Sequence, residues 1–481
     1  MLTAPIMTVI AMLFFTHLYI NGCILTAVPG SAKTPVTIYS VMTAKVTKHL
    51  RAAVFAATCA AAAFSVANLQ AAPACDPTNG GLKLPSGFCA FLATDGIEVG
   101  KNATSGATMY GSARHLAVAP NGDVFVALQR GRGGFGGGIA AMTPDANGHL
   151  TVKQIIPAGN STGIEIHNGY LYVATVTTVV RYKYIPGKEI TGDPETIVTA
   201  LPEQRMHEDK GITFDGKGSL YINVGAPSNA CQAQDRRAKV PGQDPCPLLE
   251  QYAGIWKFDE NKLNQKQTDG VRFATGLRQM PAIAWHDGAV YITMNSRDQL
   301  DTMWGEAFSA QENADRPAEP MYRAEMGSNF GWPYCFFDYG QQKLLLNPEY
   351  GGDGKTQGRC TEFKLPVATF PAHWAPVDMT FYNGKQFPAH YKDGAFVAFH
   401  GSWNRAPLPQ DGFVVAFQPF VNGKPAGKHE VFADGFAGAE PVTGRTQAQS
   451  RPDGVAEAPD GSLYITDSQK GKIWRVMYTG K

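Results

Sequence analysis

His115–Ala127 reads HLAVAPNGDVFVA. An alternating apolar strand is followed by an Asn-Gly step, where glycine accepts the positive φ of a tight turn, and by a second strand of Val and Phe. The phrase returns as GIEIHNGYLYVA at 163–174, GITFDGKGSLYINVG at 211–225 and AIAWHDGAVYITM at 282–294. It returns again as DMTFYNG at 378–384 with DGAFVAFHG at 393–401, and as GVAEAPDGSLYITD at 454–467. Leu116, Ile164, Ile212, Ile283, Met379 and Val455 mark the first strands of six copies, spaced 48, 48, 71, 96 and 76 residues apart. Other strand-like runs lie between copies: VVRYKY from Val179, GIWKFD from Gly254, GFVVAF from Gly412 and KIWRVMY from Lys472. Four short strands in a period of about 45 to 50 residues is the spacing of a propeller blade. The expected fold is therefore all-β, a six-bladed β-propeller, with two-residue hairpins at the Asn-Gly and Asp-Gly turns. The three long periods imply insertions over one face, and loops on a rigid scaffold are where binding usually resides.

Composition agrees with many turns between short strands: 52 glycines and 32 prolines in 481 residues, 11% aromatic and only 17% charged. Net charge is +1, and the first 74 residues hold Lys33, Lys45, Lys48 and Arg51 with no acid, so the chain from Cys75 carries −3. A near-neutral body gives no reason to expect a nucleic-acid partner.

From Met42 a basic stretch, MTAKVTKHLR, precedes the apolar AAVFAATCAAAAFSVANLQ and the small residues AAPAC. This is the pattern of a secretory signal peptide over 42–74, cleaved between about Ala71 and Ala74, which predicts a periplasmic or secreted protein. Residues 1–41 contain a second apolar run, Pro5 to Val28, interrupted by His17 and Asn21. It reads as a stretch upstream of the true start, with a membrane anchor as the alternative if it is translated. A lipoprotein acylated at Cys75 is a weaker reading, because the residues before it lack the usual leucine. The body, 75–481, is expected to be one propeller domain. It retains six cysteines in couples 14, 15 and 25 residues apart, which predicts pairing of Cys75 with Cys89, Cys231 with Cys246, and Cys335 with Cys360. No CxxCH for haem and no CxxC pair for zinc occurs.

Motif chemistry is sparse. His207-Glu208 lacks the second histidine of a zinc-protease HExxH, and no GxSxG elbow occurs. RGRGGFGGG from Arg130 contains a literal GxGxxG, but AAMTPDANG follows it as strand and turn rather than helix, so a flexible loop is the better reading. Polar residues do recur near the starts of the repeat's first strands: Arg114, His207, Arg278, Arg451 and, in a related position, Asp378. Any one alone would read as a surface or strand-capping residue. In a propeller the equivalent positions ring the central channel, where they could converge together with Trp374. Three arginines and a histidine suit a planar anionic ligand with carboxylates, since guanidinium forks bind carboxylate in pairs of hydrogen bonds. The histidine supplies a base, with a pKa near 6.5 if unperturbed.

HGSWNR at 400–405, FGWPYC at 330–335, GLRQMP at 276–281 and RPDGVAEAPDGSLYITD at 451–467 resemble the glucose/sorbosone dehydrogenase family of quinoproteins, and the sorbosone dehydrogenase branch most. The resemblance runs from about Tyr110 to Tyr478. It implies a six-bladed propeller holding pyrroloquinoline quinone (PQQ) at the top of its channel, with a calcium ion polarising a quinone carbonyl. It implies that His207 is the catalytic base, taking the hydroxyl proton of a sugar or aldehyde hydrate while hydride passes to the quinone. Arg278 would stand beside the reacting quinone oxygen and Arg451 at a carboxylate. Trp403 and Arg405 would be further cofactor contacts, Arg114 joins them by its place in the repeat, Trp374 would cover the ring, and Gln279 stands where soluble glucose dehydrogenases have asparagine. Calcium there is bound by backbone carbonyls after the fourth-blade strand, here MNSRDQLD from Met294, making Ser296, Arg297 and Asp298 the candidates.

The resulting expectation is an exported enzyme oxidising a sugar or sugar-derived aldehyde and passing electrons to an external acceptor, a quinone or a cytochrome. Two other readings compete with it. A metal-dependent lactonase propeller would need carboxylate ligands where the residues above are mainly basic, and a non-catalytic carbohydrate-binding or scaffold propeller would lack the cofactor.

Overall fold

The computed structural model of the chain describes residues 73–480 apart from 131–134, 439 and 445. The expected segment 1–41 and all but the last two residues of the leader 42–74 lie outside the described residues. Six sheets, each built on four antiparallel strands, follow one another along the chain, and those of blades 2 and 3 gain a fifth, two-residue strand paired parallel at the edge, Gln265–Lys266 and Ser328–Asn329. Blade 1 is Ser112–Val118, Val124–Gln129, Gly138–Pro144 and Leu150–Ile156, and blade 2 is Ser161–His167, Tyr170–Thr175, Val179–Lys183 and Glu195–Thr199. Blade 3 is Ile212–Phe214, Ser219–Val224, Gly254–Asp259 and Val271–Thr275. Blade 4 is Ile283–His286, Ala289–Thr293, Glu319–Ala324 and Ala368–Phe370, and blade 5 is Pro376–Phe381, Ala395–His400, Phe413–Gln418 and Glu430–Ala433. Blade 6 takes Pro452–Glu457, Leu463–Asp467 and Ile473–Tyr478 from the end of the chain and Phe88–Thr94 from its beginning.

That borrowed strand closes the ring: Phe88–Thr94 pairs antiparallel with Ile473–Tyr478, Phe88 opposite Tyr478. The Cys75–Cys89 disulfide ties the preceding segment to it, and Cys231–Cys246 and Cys335–Cys360 complete the three local pairings read from the sequence.

Strand alternation sends apolar side chains to both faces of each blade, so the core consists of wedges between neighbours. Phe125, Ile139, Leu171 and Val173 join blades 1 and 2, while Phe396, Phe417, Val455 and Trp474 join blades 5 and 6. The innermost strands pack closely at the channel. A Cβ on Gly163 would collide with Lys210 O, and one on Gly211 with Pro281 O, which leaves glycine as the residue that fits at both strand starts.

The hairpins correct part of the sequence reading. Asn168-Gly169 and Asp287-Gly288 are two-residue turns with both residues at positive φ, bracketed by the pairs His167–Tyr170 and His286–Ala289. In blades 1, 3 and 6 the turn is longer, between Val118 and Val124, Phe214 and Leu220, and Glu457 and Leu463. There a side chain closes the loop locally: Asn121 Oδ1 accepts from Asp123 N at 3.3 Å, Asp215 Oδ1 from Lys217 N at 2.8 Å and Ser219 N at 3.0 Å, and Asp460 Oδ1 from Ser462 N at 3.0 Å. Such side-chain-to-backbone bonds compete with the tighter turn.

The long periods contain the expected insertions. Chain between blade strands at 225–253, 294–318, 325–367 and 401–412 carries two of the disulfides, the short helices Leu300–Trp304 and Ala310–Asp315, and the hairpin Cys335–Asp338 with Lys343–Leu346. A fully buried ion pair, Arg297 Nη1 to Glu349 Oε2, locks two inserted segments together. Among the described residues no helix is long and apolar enough to cross a membrane.

Candidate active site

At the start of the innermost strands lies a cavity of about 390 Å³ lined by Arg114, His207, Arg278, Gln279 and Arg451, residues far apart in sequence. The insertions complete its wall with Arg236 from the Cys231–Cys246 loop, Asn295, Ser296 and Asp298 after blade 4, and Trp403 and Asn404 after blade 5. Four arginines thus face a space that also holds Asp209, Asp298 and Glu319.

His207 lies in the loop before blade 3 with φ of 56°, in the left-handed region. Gln204 Nε2 fixes this loop by donating to Met206 O at 2.8 Å and His207 O at 2.6 Å. The imidazole Nδ1 lies 2.5 Å from Ala226 O; a carbonyl only accepts, so Nδ1 carries the proton and Nε2 keeps its lone pair. Burial first, then the charge of Arg278, pushes its pKa down to about 3. The ring is neutral at physiological pH, the state a base requires.

Arg278 is 3% exposed; its Nη1 donates to Ser296 O at 2.8 Å and its Nη2 to Asp298 Oδ2 at 2.6 Å. The same Asp298 oxygen accepts from Arg236 Nη2 at 2.7 Å. Burial alone would raise the Asp298 carboxyl, but the two guanidiniums hold it well below the usual carboxylate range. Arg114 pairs with buried Asp453 at 2.6 Å and reaches Gln129, which in turn bonds Asp209. Arg451 donates to His400 O at 2.8 Å and Gly401 O at 2.7 Å.

The other expected site residues lie elsewhere. Trp374 is buried outside this cavity, its Nε1 bonded to Asp411 and its ring against Phe399. Arg405 also stands outside it, with Nη1 on Ala314 O at 2.6 Å and Nε on Pro409 O at 3.1 Å. Both sit within one or two residues of lining residues, and strand alternation or loop curvature turns them away. Asp378 lies farther along the channel, in a separate cavity of about 570 Å³, beside His115 and accepting from Met379 N and Val455 N. Arg236, Glu319, His373 and His400 line the site without having been singled out. HGSWNR contained His400, and His373 directly precedes Trp374 in the sequence, whereas Arg236 could have been sought only in the loop that its two cysteines close.

Four side chains lining the cavity keep a buried polar atom without a protein partner: Arg114 Nε, Arg278 Nε, Gln279 Oε1 and Ser296 Oγ. Each such group costs about 1–3 kcal/mol unless something else satisfies it. Mixed donors and acceptors among arginines suit a planar polycarboxylate with carbonyl oxygens, so the residues fit a quinone such as PQQ. Ser296 and Asp298 of the expected calcium set line this cavity, and Arg297 does not. Of the expected backbone carbonyls, Ser296 O already accepts from Arg278 and Asp298 O from Asn229, while buried Glu319, pushed up to about 8 by burial, accepts from Ser296 N and Ala375 N; among the described residues no group of three or more His, Cys, Asp or Glu side chains is placed to hold a metal.

A curated relative, the pyrroloquinoline quinone-dependent pyranose dehydrogenase of Coprinopsis cinerea, is 24% identical over 406 residues, covering 75% of this chain but 51% of that protein. The chain thus spans about half the length of that relative. The PQQ domain of pyranose dehydrogenase from Coprinopsis cinerea, in its holo form, superposes with a TM-score of 0.61 at 18% identity, covering 84% of this chain and 98% of that one. A calcium structure of the Trichoderma reesei carbohydrate-active enzyme family AA12 superposes with a TM-score of 0.62 at 17% identity, covering 83% and 97%. At such identities the structural likeness shows the shared propeller alone. The sequence match to the TrAA12-like family model, however, extends over residues 97–479, which takes in every blade strand except Phe88–Thr94 and every lining residue of the cavity, and the chain therefore belongs to the TrAA12-like family.

Proposed function

We propose that this protein is an exported PQQ-dependent dehydrogenase of sugars or sugar-derived aldehydes. The observation that carries the reading is the neutral imidazole of His207, with Nε2 bare, in a cavity walled by four arginines. When bound, the quinone supplies a two-electron acceptor that no side chain can provide. Arg114, Arg278 and Arg451 bind its carboxylates and carbonyls, with Gln279 a further polar contact, and Arg278 steadies negative charge where it develops on oxygen. His207 Nε2 takes the proton of the substrate hydroxyl. Its Nδ1 bond to Ala226 O keeps the ring in that tautomer and orientation through the transfer. The electrons then pass to an external acceptor, a quinone or a cytochrome. Calcium would be held by backbone carbonyls of the segment Ser296, Arg297 and Asp298. Three disulfides and the leader pattern support export to an oxidising compartment.

The test uses the protein from Cys75 onward, titrated with PQQ in the presence and absence of calcium chloride, then with a panel of aldopyranoses and the aldehyde sorbosone. Saturable quinone binding and sugar-dependent loss of its oxidised absorbance are expected. A protein that binds no quinone under either condition would favour the scaffold reading.

A further inference from the structure

Among the cavity's lining residues, Arg278, Gln279 and Ser296 are buried, and they mark a closed floor. Trp403 is different: it is 44% exposed, although it lines the same cavity. A large aromatic left half in water at the mouth of a polar cavity forgoes the favourable burial of its apolar surface. The loop that carries it is fixed on both sides. Buried Ser402 donates to Gln410 Oε1 at 2.8 Å, and Asn404 O accepts from Asn313 Nδ2 at 2.8 Å. The backbone on either side of the indole is therefore anchored. The Arg236 guanidinium lies 5.7 Å from the centre of its ring, and is itself held by Asp298 Oδ2 at 2.7 Å and Gln299 Oε1 at 2.5 Å. One face of the indole thus has a cation beside it.

We propose that Trp403 and Arg236 form the substrate subsite: a pyranose ring lays its C–H face on the open face of Trp403, and its hydroxyl oxygens accept from Arg236. A sugar has an apolar C–H face and a hydroxyl rim, which is the chemistry that an aromatic plane beside a fork of donors recognises. The Cys231–Cys246 loop, which supplies Arg236, then acts as a specificity element. This deepens the dehydrogenase reading and rests on it for the order of binding, quinone at the floor and sugar at the mouth. It also moves Trp403 from the cofactor contacts, where the family resemblance put it, to the sugar.

The test has two arms. In the quinone-loaded protein, Trp403→Ala should raise KM for the active sugar about tenfold or more while quinone affinity stays within about twofold. Trp403→Phe, which keeps a ring, should stay within about threefold, and Arg236→Gln should raise KM in the same direction as Trp403→Ala. In the protein without quinone, saturation-transfer NMR with D-glucose, D-galactose and D-mannose should show transfer to C–H protons that Trp403→Ala abolishes. Weakened quinone binding with unchanged KM in Trp403→Ala would make the indole a cofactor cover and overturn the proposal. So would transfer that is absent from the wild type or survives the substitution. Failure of the wild type to bind quinone is a different outcome: it defeats the dehydrogenase reading and leaves the NMR arm to decide the subsite.

Discussion

His207 and Arg278 are both anchored on the backbone of one residue, Ala226. Ala226 O accepts from His207 Nδ1 at 2.5 Å, and Ala226 N donates to Arg278 O at 2.7 Å. The proposed base and the proposed oxyanion partner come from different blades, yet a shift of one backbone segment moves both. Preorganisation of this kind lets a site act on developing charge without reorganising at the moment of reaction.

Replacing the base should separate chemistry from binding. His207→Gln retains hydrogen-bonding capacity but cannot take the proton, and positioned bases contribute about 10² to 10⁴ in rate. Stopped-flow reduction of the bound quinone should slow by that factor, with quinone affinity little changed because the arginines set it. Reduction within a few-fold of the wild-type rate would falsify the assignment.

The pH profile follows from the same environment. An ordinary histidine would protonate near 6.5 and switch the base off below it, whereas this ring, pushed down to about 3, stays neutral across that range. Quinone reduction should therefore show no acid limb belonging to His207 between about pH 5 and 8. A limb centred near 6.5 that disappears in His207→Gln would mean that the imidazole titrates normally.

Much of this architecture was legible in the chain because the repeat is local. Each copy announces its own hairpin, and six copies fix the ring. The positions Arg114, His207, Arg278 and Arg451 could be read because they recur at one point of the repeat and so converge on the channel by symmetry. Trp374 and Arg405 could not be placed, because which way a side chain turns depends on strand alternation and loop curvature that no motif encodes. Arg236 was hidden for a related reason: its loop belongs to one blade alone, so no periodicity points to it. Asp298 was visible only as a calcium candidate, and its role as the shared acceptor of two guanidiniums needs the fold.

The placement of the arginines predicts unequal cofactor effects. Charge-assisted bonds to carboxylates contribute about 1.5–3 kcal/mol each, so Arg451→Ala should weaken quinone binding about tenfold or more. Arg405→Ala, outside the cavity and bonded to Ala314 O and Pro409 O, should leave it within about twofold. Equal losses in a quinone titration of the two variants would show that Arg405 reaches the cofactor after all.

Arg297 offers a test of the scaffold rather than of the chemistry. Its side chain is 1% exposed and its partner Glu349 is fully buried. Removing one member strands the other charge, at a cost of about 3–5 kcal/mol, whereas apolar replacement of both is often tolerated. Arg297→Ala should lower the urea midpoint markedly, and Arg297→Met with Glu349→Leu should recover most of the loss. Equal destabilisation of the two would locate the pair's value in packing instead of charge.

The second cavity of the channel supplies a pH test independent of any cofactor. Glu165 lines it, and burial first, then the like charges of Asp378 and Glu260, pushes its carboxyl up to about 8. In the unfolded chain the same group ionises near 4.5, so between those values the folded state holds a proton that the unfolded state has released. Stability then falls as pH rises through this window, the reverse of a carboxylate held ionised by a partner. Glu165→Gln keeps the shape and neutrality of the protonated acid and removes the titration. Wild type and variant should unfold at closely similar urea concentrations at pH 5. By pH 9 the variant should be the more stable, by on the order of 2–4 kcal/mol if the neighbouring groups stay in place. A stability difference that is the same at both pH values would mean that Glu165 ionises in the fold as it does in the unfolded chain, with water entering the channel freely enough to solvate it.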